Sequence, residues 1–482
     1  MLLSNQLVLQ VRRNNHQYIN RMQLRDYQQE ALDDCLKFLN TPGAKPGVVV
    51  APVAYGKSLL ISSVAHQSGR KCMVLQPSGE LLGQNLDKLR ALGGDASVYS
   101  AGQGVKEIGE LTYATLGSVV KIGKELREYG IDVLLIDECD NSYSEQAGSQ
   151  FRRLLDALKP KHVIGFTATP FRLKAGLFGS TLSMINRIRP KVFHNFIHIF
   201  QVSEIINRGY WTPIKYKAYE FDEKMMIKNS TGADFTEDSI REYNKVKGIN
   251  NKIYVEVKEL LAKGYTSILL FCDSVETAEK FASVLPNAGF IHGGMNKKER
   301  SSTLSNFKSG ALKVLANHSI LTTGYDHPEL QVIIMGRATG SFSLWYQING
   351  RIVRKHESKK EGLFIDYGGN VKRFGGIDSI EITNHPINGW SLFSGDKLLT
   401  GYVLTDTPIC KSDLDKQLPK TIVVSEYEFN FGAHKGKKLH EVPRNYLEWL
   451  CSDKFESKAQ WMTQVKKTCK KYLEESKLEQ LV

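Results

Sequence analysis

Paired cysteines are missing from this chain. Its seven cysteines stand singly at Cys35, Cys72, Cys139, Cys272, Cys410, Cys451 and Cys469. None forms a C-x-x-C pair, so a zinc ribbon or a disulfide framework has no support in the sequence, and no zinc is expected. Also absent is an apolar run long enough to span a bilayer. The opening MLLSNQLVLQVRRNNHQ holds a short apolar piece, but no basic region precedes it and no small-residue cleavage site follows. The expectation is a cytoplasmic chain with reduced thiols and no membrane partner, in a bacterial cytoplasm or nucleoid, or in an infected host if phage-encoded.

What is present suits a soluble globular protein: 482 residues, enough for two or three domains, 41% of them hydrophobic and 24% charged. The net charge of +13 points to a polyanionic partner, an inference that gains weight only if the fold offers a nucleic-acid groove.

Hydrophobic patterning gives the architecture. GVVVAP, KCMVLQP, VLLIDE and HVIGFTAT read as buried strands separated by helical stretches such as YQQEALDDCLKFL. The rhythm restarts after residue 260 with TSILLFCDS, GFIHGG, LKVLANHS, QVIIMGR and GLFIDYGG. Buried strands alternating with helices predict parallel sheets covered on both faces, with ligands at the carboxyl ends of the strands. The segment 172–260 is less regular, and the strand–helix rhythm stops after residue 385.

At the end of the first strand stands APVAYGKS, a phosphate loop without the usual leading glycine, since position 51 is Ala51. A strand before it and a helix after it are what such a loop needs, so that backbone N–H groups and the helix N-terminus cradle phosphates. Lys57 would reach the β and γ phosphates and Ser58 would ligate Mg²⁺. VLLIDECD then delivers Asp137, placed for Mg²⁺, and Glu138, placed to polarise an attacking water. GFTATP follows at the end of the next strand, with Thr167 and Thr169.

The combination A-x-x-A-x-GKS, DECD, TAT and QINGRIVR resembles the superfamily 2 helicases, in which a non-glycine first residue of the loop is ordinary. Ala54 is a milder departure, expected to narrow the loop slightly. The resemblance implies two tandem RecA-like parallel-sheet domains, followed here by a small α+β module, with ATP and Mg²⁺ as cofactors. It assigns nucleotide contacts to Arg25 and Gln28 of LRDYQ, to Val53, Ala54, Tyr55, Gly56, Lys57 and Ser58, and to Gly324 and Asp326. Nucleic-acid contacts fall on Gln76, Pro77 and Ser78, on Thr115, on Asp273 and Ser274, on His292 and Gly293, and on Thr322 and Thr323. Thr167 and Thr169 would couple hydrolysis to movement. Gln347, Arg351 and Arg354 of QINGRIVR would complete the catalytic set, the two arginines facing the cleft from one helix.

The second half, from MNKKERSSTLSNFKSGALKVLANHSILTTGYDHPEL to FIDYGGNVKRFG, resembles the RadD (YejH) type and its phage relatives. That type usually carries a cysteine-rich zinc module, which this chain lacks. The implied boundaries are a first domain at 1–195, a linker at 196–213, a second domain at 214–385, a linker at 386–420 and a module at 421–482. The implied activity is an ATP-dependent DNA helicase or translocase acting on single-stranded, forked or branched DNA in replication, recombination or repair. Single-strand-binding or recombination proteins are candidate partners. An RNA helicase, or a motor subunit of a nuclease or defence complex, is the alternative. EFNFGAHKGKKLHEVPRNYLEWL, near the C-terminus, resembles a module of exonuclease X-type proteins. Lys435, Lys437 and Lys438 on its turn could grip phosphate beside Tyr446 and Trp449, or these aromatics could simply form a small core.

Overall fold

The computed structural model describes residues 24–473 apart from 92, 141–142, 144–145, 147, 175–180, 321–326, 387–388, 402–408, 417–426, 430, 453–454, 456–461, 463–464 and 471. It folds as two compact units, residues 1–408 and 409–482.

The first unit opens on helix α1 (Asp26–Leu39), whose Tyr27, Ala31, Leu32, Cys35 and Leu39 form one buried stripe. Strand β1 (Gly47–Val50), helix α2 (Lys57–Gln67), β2 (Cys72–Gln76) and helix α3 (Gly79–Ala91) follow. Next come β3 (Ser97–Ser100), β4 (Val105–Lys106), β5 (Leu111–Thr115), β6 (Val133–Asp137) and β7 (His162–Thr167). A hairpin of β8 (Phe171–Lys174) and β9 (Thr181–Met184) precedes β10 (Asn195–Ile199) and the short helix α4 (Val202–Asn207). The first sheet runs β10-β1-β7-β6-β2-β5-β3-β4, parallel except for β4. Every residue of β1, β2, β6 and β7 is buried, as expected of strands covered on both faces. Because β1, β7, β6 and β2 are neighbours, the phosphate loop, the threonines, the acids and Gln76 all leave the sheet at the same end.

The second sheet is wholly parallel. It uses β11 (Ile214–Ala218), β12 (Ile268–Phe271), β13 (Ala288–His292), β14 (Val314–His318), β15 (Val332–Met335) and β16 (Gly362–Asp366), in the order β11-β16-β15-β12-β14-β13. Helix α5 (Ile249–Ala262) covers one face, and helix α6 (Phe342–Ile352) leads from β15 toward β16.

Two stretches read as linkers carry strands. β10 begins at Asn195 and pairs in parallel with β1, so the first sheet extends into 196–213. It is a half-buried edge strand containing Asn195 and His198, without the continuous apolar run of the inner strands. Within 386–420, β18 (Gly389–Ser394) and β19 (Lys397–Leu398) form an antiparallel meander with β17 (Ile380–His385). This meander returns to the first sheet: Gln201 Nε2 donates to Ile382 O (2.6 Å) and Ile382 N to Gln201 Oε1 (3.1 Å), while Trp390 packs edge-on against Phe196.

In the second unit, Tyr427, Phe429, Leu439, Val442, Leu450 and Cys469 belong to a separate small core. In it, helix α7 (Arg444–Cys451) starts after Pro443 and buries Leu447 and Leu450.

Candidate active site

The phosphate loop is held from beneath by α1. Gln28 Nε2 donates to Tyr55 O (2.9 Å) and its Oε1 accepts from Arg25 N (3.0 Å), while the Tyr27 and Tyr55 hydroxyls each donate to the other's backbone carbonyl. Gly56 caps α2 with φ +89°, and a Cβ there would lie 2.5 Å from Gln28 Nε2. This close approach requires glycine. Gln28 is only 3% exposed, so its visible work is to brace the loop. Arg25 stays at the surface, bonded to the Tyr27 hydroxyl and stacked over Tyr210. Ala54 takes φ +59°, a left-handed conformation that strains a residue bearing a Cβ, so its departure from glycine is a matter of backbone strain.

The acids meet the loop directly. Lys57 Nζ lies 3.0 Å from Asp137 and makes a short ion pair with Glu138. Burial works against the lysine's charge, but the two carboxylates outweigh it and raise its pKa. Burial pushes the Glu138 carboxyl up to about 7, with Asp137 and Asp140 adding to the push and Lys57 opposing it. Glu138 also has positive φ (+48°).

Two buried side chains that the motif reading did not single out organise this wall. Asn85, on α3, accepts from Ser58 Oγ (2.7 Å) and donates to Gln76 Oε1 (3.0 Å) and Asp137 Oδ2 (3.3 Å). It thus joins the loop serine to the acidic strand. Asp140 accepts from Thr167 Oγ1 (2.6 Å) and Thr169 Oγ1 (2.7 Å), tying the acidic box to the threonines. Arg172 closes the same turn by donating to Cys139 O and Tyr143 O, both at 2.9 Å.

The opposite wall is α6. Gln347, Gly350, Arg351 and Arg354 line, with Ala51–Ser58, Asn85, Asp137, Glu138 and Ala168, one cavity of about 180 Å³. The helix ends at Ile352, but Val353 keeps helical backbone angles, so Arg354 still reaches the cavity. A Cβ on Gly350 would lie 2.5 Å from Val53 Cβ, so the missing side chain lets α6 press on the phosphate loop. Tyr346 is hydrogen-bonded to the backbone of Val53. At the end of α6, the buried Lys359 donates to Ile352 O and Leu330 O, each at 2.8 Å.

The residues expected to touch nucleic acid divide. Pro77 and the exposed Ser78 follow β2, and Thr115 shares a hydrogen bond with Ser118 at the end of β5. His292 and the exposed Gly293 close β13. Three of the expected contacts are enclosed. Gln76 is 1% exposed and spent on Asn85; Asp273, 4% exposed, accepts from Asn244; Ser274, 6% exposed, caps the helix Val275–Val284. Side chains so enclosed are anchored in the fold by these partners. Thr322, Thr323, Gly324 and Asp326 lie outside the described residues. Lys435, Lys437 and Lys438 are exposed on the second unit.

Comparison with known proteins agrees with this geometry. The family model described as the type III restriction enzyme res subunit matches residues 21–172, and the helicase conserved C-terminal domain matches 252–356. A Saccharomyces cerevisiae protein named as the ATP-dependent helicase IRC3 is 26% identical over 72% of this chain and 51% of its own length. A Halobacterium salinarum protein named as the DNA 3'-5' helicase Rad25 is 24% identical over 66% of this chain and 50% of its own. The chain thus spans about half the length of these relatives. Among solved structures, a fragment assigned to the HsdR subunit of a type I restriction enzyme from Vibrio vulnificus superposes with TM-score 0.54 at 19% identity, over 73% of this chain and 65% of that one. Two parallel-sheet halves sharing a phosphate-loop cleft define the class, a RecA-like core. These matches support a superfamily 2 helicase core over the matched residues.

Proposed function

We propose that this chain is a nucleic-acid-stimulated ATPase that moves along or remodels DNA, acting on single-stranded, forked or branched substrates in replication, recombination or repair. The observation that carries the reading is the cavity in which Lys57, Asp137 and Glu138 from one sheet face Gln347, Arg351 and Arg354 from the other. In this reading Lys57 exchanges its carboxylate partners for the β and γ phosphates, held by the N–H groups of Val53 to Ser58. Glu138, released from Lys57, orients and polarises the attacking water. Arg351 and Arg354 stabilise charge developing on the transferred phosphoryl group. The hydroxyl of Ser58 and the carboxylate of Asp137, already joined through Asn85, are hard oxygen donors of the kind Mg²⁺ takes. When bound there, Mg²⁺ would neutralise phosphate charge.

DNA is favoured by DECD and TAT in place of DEAD and SAT, and by the RadD-like second half. A motor subunit for a separate nuclease is the second reading, favoured by the match to a restriction-enzyme subunit model. ATP turnover should be measured without nucleic acid and with single strand, duplex, fork, four-way junction and RNA, using Glu138→Gln as the inactive control. Forked or branched DNA should stimulate most. Stronger stimulation by RNA would overturn the DNA assignment, and no stimulation by any of them would overturn the motor.

A further inference from the structure

The second unit carries a surface that ATP hydrolysis leaves unused. Positive φ at Gly432 (+67°) and Gly436 (+85°) folds the chain back, so that Phe429 N donates to Lys437 O (2.9 Å) and Gly436 N to Phe429 O (2.6 Å). The turn displays Lys435, Lys437 and Lys438 to solvent, and none of the three is ion-paired to a carboxylate among the described residues. It is also pinned to α7. The His434 ring lies 4.4 Å from that of Tyr446, and a Cβ on Gly432 would come 2.9 Å from the Tyr446 hydroxyl.

The aromatic row continues outward along α7. The Tyr446 ring is 5.5 Å from that of Trp449, which sits 4.7 Å from Phe455. Tyr446 is half-buried behind His434, whereas Trp449 is 45% exposed although Leu447 and Leu450 beside it are in the core. The small core is therefore complete without the indole, which sits at the surface one ring beyond Tyr446, the residue that packs on the lysine-bearing turn. A flat exposed ring on the same small unit as three solvated, unpaired lysines matches a polyanion that carries flat groups of its own, which is unpaired nucleic acid.

We propose that this face binds a single strand of nucleic acid, with Trp449 as the base-stacking ring and Lys435, Lys437 and Lys438 as phosphate contacts. The proposal rests on the reading of the first unit as a nucleic-acid motor, and the test separates the two. In the full chain, affinity for a 20-nucleotide oligothymidylate and for a blunt duplex of equal length is measured across a salt series. Trp449→Ala should weaken oligothymidylate binding by about fivefold or more, the loss that one base stack carries, and leave the blunt duplex unchanged. Trp449→Phe keeps a ring and should retain most of the affinity. Replacing the three lysines with alanine should lower the slope of log affinity against log salt by about 2, from ~0.7 per single-strand phosphate. ATP turnover at saturating DNA should match the parent in every variant, so a failure here leaves the ATPase reading standing. Parental affinity in Trp449→Ala, equal loss on the blunt duplex, or equal damage by Phe and Ala would overturn the stacking site. Unchanged affinity and slope in all variants would assign the face to a protein partner and overturn the proposal entirely.

Discussion

The two walls of the cleft are built on different principles. On the first sheet, three neighbouring strands end in a polar network in which Lys57, Ser58, Asn85, Asp137, Glu138 and Asp140 each hold a partner. On the second, one helix approaches through apolar packing: Phe342, Trp345 and Tyr346 join the core of the first sheet, and Phe342 meets Phe171 edge-on at 5.1 Å. The charged machinery is thus assembled within one domain, and its completion depends on how closely the other domain's helix sits. Changes to the first wall should act through protonation, and changes to the second through how far its arginines reach into the cleft.

The sharpest break of that comparison is Arg351→Ala. If the second wall supplies charge to the transition state, turnover should drop by about 10³-fold or more while ATP binding persists, by analogy with arginines supplied across a cleft. Near-parental turnover, measured at saturating nucleic acid, would reduce α6 to a scaffold.

Protonation tests the first wall. With its pKa near 7 in the nucleotide-free protein, Glu138 becomes increasingly neutral as pH falls below 7. A neutral carboxyl cannot polarise water, so kcat/KM, which reports the free enzyme, should fall about tenfold per pH unit on that acid limb. In the nucleotide complex, nearby phosphate charge and the loss of Lys57 as a partner both oppose the carboxylate, so the corresponding limb in kcat should lie at higher pH. A kcat/KM profile flat from pH 8 to pH 5.5 would move the water-activating role elsewhere.

Packing tests the second wall. Gly350→Ala places a methyl 2.5 Å from Val53 Cβ, and overpacking of this kind costs about 1–3 kcal/mol. The helix should stand off the loop, lowering turnover several-fold with a smaller effect on ATP binding. Val53→Gly in the same chain should restore part of the loss. Absence of any rescue would mean that the contact does not set the reach of Arg351.

The sequence exposed the first wall more fully than the second because its strands are apolar throughout and its polar residues sit at their ends. GVVV, VLLID and HVIGFT were readable for that reason, whereas the edge strand Asn195–Ile199 mixes His198 with half-buried apolar residues and looks like a connection. The meander Ile380–Leu398 was missed where its register is antiparallel and its turn follows no parallel-sheet rhythm. Asn85 had a signal: it falls on the stripe of Leu82, Leu86 and Leu89, where a polar residue needs buried partners. Asp140 had one too, as a third acid within four residues facing two threonines. Motif order alone could not tell Gln76, Asp273 and Ser274 from surface contacts, since burial depends on the neighbouring helices.

The smallest effect lies at Ala54, where the first wall carries strain that hydrogen bonds do not explain. Its φ of +59° suits glycine, and a Cβ in that region costs roughly 1–2 kcal/mol. Ala54→Gly removes the clash but gives the unfolded chain more freedom, so the net gain should be about 0.5–1 kcal/mol. Spread over a chain this long, that is a rise of about 1–2 °C in the melting of the nucleotide-free protein. If the fold holds the loop shape through Gln28 and Tyr27, as their bonds to Tyr55 suggest, ATP affinity should change by no more than about threefold. A larger loss of affinity would show that the strained alanine itself preorganises the loop, and would make backbone stiffness, beside charge, a working part of the first wall.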